Sequence, residues 1–330
     1  MIIDALLKLT LLLSSLYFVT SQRTADRDVS ITIDVSLDYD VSSPNNVTLD
    51  IAKSIFSGRG QQYQYVQHPE LFKDGPKNVT DLWVKFIDAF QYQTPCTVDP
   101  SNFSDFVNAA AHDIPKDKTL LWSKTRTLAN TYSQSGGRYF TITDSLSGYL
   151  VNDLDFCAQK QYPGVNFRSC PPPSHQCQKG AELSFWREAS RKFAELASGT
   201  VHVLLNGSTI AYSNESIFYG YELPSLREGT VTEIRALVVH DLGVRGREKC
   251  GSGTLLKLQA DVRKRGFKFQ CTDDPADLRH LLCADEPATS SCRFLDNDHT
   301  SSGNQIQNIF KTSAVRVVLI YTFFYWRFVR

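Results

Sequence analysis

Residues 29–41 alternate apolar and polar positions without a break, the period-2 pattern of a strand. An edge strand and a partly ordered extension both fit, and no function attaches to it. From there to residue 75 the chain is polar and turn-rich, which predicts an extension and linker over 23–75. The period then changes. Leu82, Phe86 and Phe90 recur every four positions within residues 78–92, with Thr80 or Asp81 able to cap, and predict a helix. Residues 103–111 continue in helical style. Residues 118–124 are a short apolar run ending in Trp122, Ser123 and Lys124, followed by a helix over 125–132. Residues 141–150 return to helix or loop. Residues 183–197 form an amphipathic helix with Phe185, Trp186, Ala189 and Phe193. Three β-rich runs follow at 200–205, 234–240 and 267–271, with a helix over 253–265.

Short unbroken apolar strands with helical crossovers suit a parallel sheet buried on both faces. With Leu120 and Leu121 the sheet has about four strands. The predicted fold class is α/β (α+β overall). A helical N-terminal domain takes residues 76–115 and 141–198. A small C-terminal domain with a roughly four-stranded parallel sheet takes 116–140 and 199–295.

Both ends carry targeting patterns. Lys8 precedes an apolar run over 9–19 with small residues around Ser21, which predicts a signal peptide over 1–22. A signal anchor or a buried helix is the other reading. Residues 296–330 hold Ser301, Ser302 and Gly303, a polar spacer and an apolar stretch over 317–326, the layout of a GPI-attachment signal. Arg316, Arg327 and Arg330 depart from the usual apolar ending, so a short membrane anchor with snorkelling arginines is the alternative. The expected location is the extracellular face of the cell membrane, reached through the secretory pathway.

Composition agrees. Eight cysteines, an even count, suit an oxidising compartment and allow 105 pairings. Sequons begin at Asn46, Asn78, Asn102, Asn206 and Asn214 and permit glycosylation. The 330 residues carry a net charge of 0, which argues against a nucleic-acid partner held by a basic face. No CxxC, HExxH or paired metal-ligand spacing occurs, so no metal is expected.

The candidate chemistry centres on Glu222, set between Tyr221 and Leu223 in the aromatic, turn-rich stretch 213–226. A carboxylate there can stabilise a developing positive charge. An exposed strand-end glutamate beside a proline is the commoner reading of that window alone. Trp122 ends a strand, a ligand-facing place in α/β sheets. For Trp186, on a helix with Phe185 and Phe193, core packing is the default reading. Ser123 and Lys124 are a thin phosphate signal without a glycine-rich loop. Asp144 equally suits a helix N-cap, Asp153 an exposed charge, and residues 206–208 a turn, a glycan site or both. His202 and His240 read as structural.

Taken in order, Trp122-Ser123-Lys124, residues 141–150, Phe185-Trp186 with residues 190–195, residues 205–208, and Phe218 spaced four before Glu222 resemble the ADP-ribosyl cyclase / cyclic ADP-ribose hydrolase family of NAD glycohydrolases. The similarity runs over roughly residues 78–292. It implies a helical domain and a parallel-sheet domain with the active-site cleft between them, and some members are GPI-anchored. It puts Glu222 on the catalytic glutamate, and Trp122 and Trp186 on the tryptophans framing the nicotinamide ribose. Ser123 and Lys124 fall on phosphate contacts with Phe218 beside them. Ser190 falls near the ribosyl intermediate, and Asp144 and Asp153 near the nicotinamide end. The implied activity is NAD cleavage to ADP-ribose and nicotinamide, with cyclic ADP-ribose formation and hydrolysis beside it. NAD is then the substrate, with NADP a second candidate, no separate cofactor is implied, and a homodimer is a candidate assembly. The rival is a catalytically silent surface receptor or adhesion ectodomain on the same scaffold.

Two departures from the family pattern follow. Thr143 stands where the family has a glutamate that influences the partition between hydrolysis and cyclisation. The resemblance also implies disulfides Cys157–Cys170, Cys250–Cys271 and Cys283–Cys292. Two further family half-cystines fall on Val79 and Lys116, which leaves Cys96 and Cys177 over, and they are expected to pair with each other.

In this chemistry the leaving group is already cationic and departs neutral, so one ionised carboxylate suffices where most glycosidases use two. A large upward pKa shift at Glu222 would protonate it and disable it.

Overall fold

The computed structural model describes residues 46–135, 137–161, 165 and 177–292. The expected signal peptide, the alternating stretch at 29–41, the C-terminal tail and Cys170 lie outside the described residues.

The chain expected to be a linker up to residue 75 is helical instead. Helix α1 spans Asn46–Gln62 and continues through a π turn, Tyr63–Gln67, and a 3-10 turn, Pro69–Phe72. Its apolar stripe is sparse but regular: Ala52, Phe56 and Tyr63 are fully buried, spaced four and seven apart on one face. The polar residues between them hide the period from a reading by composition. Phe56 meets the rings of Trp83, Phe86 and Phe106.

Helix α2, Val79–Asp88, is capped by Asn78 rather than by Thr80 or Asp81. The Asn78 side-chain oxygen accepts from the backbone N–H groups of both those residues. A 3-10 turn, Pro100–Phe103, leads into helix α3, Ser104–Ala110. Phe86, Phe90, Phe103, Phe106, Phe156 and Phe185 form the aromatic centre of the helical half, and the Phe86 and Phe156 ring centroids lie 5.0 Å apart.

The sheet has strands β1, Leu120–Ser123; β2, Gly199–Asn206; β3, Val231–Val239; and β4, Lys268–Asp273. They lie in the order β1-β2-β3-β4, all parallel. Alternate residues feed opposite faces. Leu121, Val203, Leu205, Ala236 and Val238 join the large core, whereas Leu120, Leu204, Val239 and Leu278 form a second, smaller one. Burial on both faces explains why β1 and β2 read as unbroken apolar runs, whereas β4, at the sheet edge, has no buried residue.

Between β1 and β2 run helix α4, Arg126–Gln134; a 3-10 turn, Ile142–Asp144; helix α5, Leu146–Val151; and helix α6, Ala181–Glu195. Between β2 and β3 run a π turn, Phe218–Glu222, and the short helix α7, Leu223–Ser225. Helices α8, Gly253–Lys264, and α9, Ala276–Asp285, flank β4 in sequence. Helix α6 buries Glu188 against Arg191 at 2.6 Å, with Ser104 donating a further hydrogen bond to the same carboxylate at 2.7 Å.

Disulfides join Cys96 to Cys177, Cys250 to Cys271, and Cys283 to Cys292. The two cysteines left over by the family pattern are thus bonded to each other. Cys157 is also disulfide-bonded. Of the sequon asparagines, Asn78, Asn102 and Asn214 are exposed and Asn206 is half-buried, while the Asn46 side chain lies outside the description. Among the described residues no helix is long and apolar enough to cross a membrane.

Candidate active site

A cleft of about 440 Å³ opens at the carboxyl end of β1 and β2, the place where parallel α/β sheets bind ligands. Each wall follows from local structure. Strand β1 ends at Trp122 and Ser123, which pair in register with Leu204 and Leu205. The chain then turns sharply, because Lys124 adopts the left-handed region at φ 60°. The Thr125 hydroxyl fixes that exit by donating to the Leu204 carbonyl at 3.0 Å. Lys124 points out to solvent and its ammonium donates to the Ile210 carbonyl at 3.3 Å.

Helix α6 supplies the second wall. Glu182, Trp186 and Ser190 are spaced by four residues and line the cleft together from one helix face. Trp186 also rests edge-on against Phe185, with centroids 4.9 Å apart, so it is both wall and packing element.

The π turn supplies the buried end. Glu222 closes it and is 4% exposed. Its Oε2 is buried and has no hydrogen-bond partner. Burial pushes this carboxyl up to about 8, while the Ser190 hydroxyl opposes the shift by hydrogen bonding to it.

Six of the nine residues singled out in the sequence line this cleft: Trp122, Ser123, Lys124, Trp186, Ser190 and Glu222. Three do not. Phe218 is 1% exposed and packs edge-on against Tyr212, because it sits on the inner side of the turn that carries Glu222. The Asp144 carboxylate is spent locally, accepting from the Thr141 N–H at 2.8 Å and the Thr141 hydroxyl at 2.7 Å in a capping box. It lines a separate cavity of about 630 Å³, which meets the cleft only through Thr143. Asp153 is exposed, with its backbone at φ 58°, and forms an ion pair with Arg126 at 3.4 Å.

The cleft also holds residues that the sequence did not single out. Arg126 and Glu182 line it, as do Ser213, Glu215 and Ser216. Helical spacing from Trp186 could have found Glu182. Arg126 had no comparable signal, since it takes part only because the chain reverses at Lys124. Glu182 is half-buried. Its carboxyl is pushed up by burial and by Asp155, and pulled back by Arg126 and by a hydrogen bond from the Trp186 indole. His202 and His240 stay outside the cleft. His202 is held low, at about 4, by burial, and His240 bridges Asp274 and the Glu248 carbonyl. Among the described residues no group of three or more His, Cys, Asp or Glu is placed to hold a metal ion.

The ADP-ribosyl cyclase family model matches residues 50–292. The ADP-ribosyl cyclase/cyclic ADP-ribose hydrolase of Aplysia californica is 35% identical over 245 residues, 73% of this chain and 86% of that protein. The ADP-ribosyl cyclase/cyclic ADP-ribose hydrolase 2 of Homo sapiens is 34% identical over 242 residues, 73% of this chain and 74% of that protein. The crystal structure of Aplysia cyclase with substrate NGD and product cGDPR matches with a TM-score of 0.68 at 35% identity, covering 73% of this chain and 96% of that one. A structure of CD38 matches with a TM-score of 0.61 at 31% identity, covering 68% of this chain and 91% of that one. By family model, by sequence and by fold, the chain belongs to the ADP-ribosyl cyclase family.

Proposed function

We propose that the protein cleaves the nicotinamide–ribose bond of NAD, giving ADP-ribose and nicotinamide, with cyclic ADP-ribose formation and hydrolysis as accompanying activities. The observation that carries this reading is the buried Glu222 carboxyl at the end of a cleft walled by Trp122 and Trp186. The names of the relatives support it.

In the free protein, burial keeps Glu222 largely protonated at neutral pH. A substrate with a fixed positive charge beside it favours the ionised form, so binding itself arms the group. The pyridinium stacks on an indole face, worth ~0.5–2 kcal/mol depending on desolvation. Ser123 and Lys124 hold the phosphates, and Arg126 adds a second cation at that rim. As the C1′–N bond breaks, its electron pair returns to the ring and nicotinamide leaves neutral. The Glu222 carboxylate, steadied by Ser190, faces the positive C1′ centre. Water then forms the new C1′–O bond and gives up a proton to Glu222. Alternatively, the adenine of the same molecule attacks C1′, and the ring closes. Hydrolysis thus releases one proton, whereas in cyclisation the positive charge passes from the pyridinium to the alkylated adenine ring and no proton need leave.

Fluorescence of etheno-NAD on the intact chain tests the reading. Turnover should fall ~10²–10³-fold in Glu222→Gln, the scale for loss of a group that stabilises transition-state charge. Absence of turnover in the wild type would favour the silent ectodomain instead.

The same reading places the protein at the extracellular face of the membrane on a C-terminal lipid anchor, supported by its disulfides. Release from cells by a phosphatidylinositol-specific phospholipase C tests the anchor. Turnover of NADP and sedimentation of the purified chain test the second substrate and the homodimer.

A further inference from the structure

Glu182, Glu215 and Glu222 all line the cleft, in different settings. Glu222 is buried, Glu215 is exposed and Glu182 is half-buried. Only Glu182 shares a helix face with Trp186 and Ser190, one turn before the indole. The Glu182 and Trp186 side chains thus reach the cleft side by side, the carboxylate one turn from the indole. Thr143, across the same cleft, offers only a hydroxyl, which already donates to the Asn130 side chain at 3.0 Å.

We propose that Glu182 is a specificity-determining carboxylate of the cleft, holding an N-substituted pyridinium ring against the Trp186 indole by its positive charge. The inference rests on the NAD-cleaving reading of the site. It adds a role distinct from that of Glu222. The ring is cationic in the bound substrate and neutral once the C1′–N electron pair has returned to it. Attraction to Glu182 therefore weakens along the reaction. A contact stronger in the ground state than in the transition state tightens binding without speeding the chemistry. It also lets the neutral product go.

Two ligands of nearly the same shape separate charge from fit: 1-methylnicotinamide, a permanent cation, and nicotinamide, which is neutral. Their binding to the intact chain is read by calorimetry. The wild type should prefer the cation about tenfold, the scale of one partly desolvated ion pair with stacking. Glu182→Gln removes the charge at nearly constant shape and should erase the preference while leaving nicotinamide affinity unchanged. Glu182→Asp should retain part of it. In turnover, Glu182→Gln should raise KM for NAD with no fall in kcat, the reverse of Glu222→Gln. A cation preference that survives in Glu182→Gln, equal loss of both ligands, or a fall in kcat at constant KM overturns the assignment. A wild type that prefers the cation but does not turn over NAD refutes the cleavage reading and leaves Glu182 as a cation site.

Discussion

The Ser190 hydroxyl favours the ionised form of the buried Glu222 carboxyl from two turns along the helix that begins beside Glu182. Helix α6 packs on the π turn there, so the charge state of Glu222 depends on both elements. In the free protein the carboxyl titrates near 8, so kcat/KM should rise with pH about tenfold per unit below that value and level off above it. The corresponding limb in kcat should lie at lower pH, because bound cationic substrate favours the carboxylate. Ser190→Ala removes the hydroxyl that opposes the shift and should move the kcat/KM limb upward. Initial rates from about pH 6 to pH 9 decide the matter, since a flat kcat/KM profile contradicts the assignment.

The same group acts on stability. Unfolded, Glu222 ionises near its ordinary 4.5, and folded only near 8. Between those values the unfolded chain is the one that ionises, so the native state loses stability as pH rises. Each unit is worth about 1.4 kcal/mol, which sets an upper limit of about 5 kcal/mol above both values. Glu222→Gln should therefore melt higher than the wild type, with a gap that widens from acid to alkaline buffer. An equal gap at all pH values would be inconsistent with this linkage.

Cys96 and Cys177 close a loop across a sequence separation of 81. Replacing both with serine should cost ~2–5 kcal/mol, most of it through a freer unfolded chain. Calorimetric melting of the double variant measures it. The ribose chemistry, located elsewhere, should keep its kcat at temperatures well below the melt.

Glu188 is 4% exposed and ion-paired to Arg191. Arg191→Met strands that carboxylate with Ser104 as its remaining donor and should cost ~3–5 kcal/mol in chemical denaturation. Replacing Glu188 together with Arg191 by apolar residues of similar volume should restore much of the loss.

Thr143 borders both the cleft and the neighbouring cavity. Thr143→Glu should shift products from a guanine analogue of NAD away from the fluorescent cyclic form toward the linear one. An unchanged ratio would mean that position 143 does not govern the partition in this chain.

The sheet was legible chiefly from β2, which is buried on both faces, so Val203, Leu204 and Leu205 read as an unbroken apolar run. Helix α6 was legible from its stripe of Phe185, Ala189 and Phe193. Helix α1 was not, because three widely spaced apolar residues carry its packing. The Asn78 cap was missed for a related reason: a side chain one residue outside the helix supplies it. In the cleft, Trp122 and Ser123 at a strand end and Trp186 and Ser190 on a helix face were found, while Glu182 on that same face was passed over. Arg126 depends on the backbone turn at Lys124, which spacing does not show, and Asp144 is consumed by Thr141 three residues before it, the capping role its position allowed.

The in-register pairing of Trp122 with Leu204 has a consequence for biosynthesis. The two strands bracket helices α4, α5 and α6, so they meet only after that whole segment has left the ribosome. Contacts so distant along the chain form late and slowly. Trp122 and Ser123 come from before this crossover and Glu222 from after β2, so no shorter nascent fragment holds all three. A chain still being made therefore cannot complete the cleft until the two strands have zipped together.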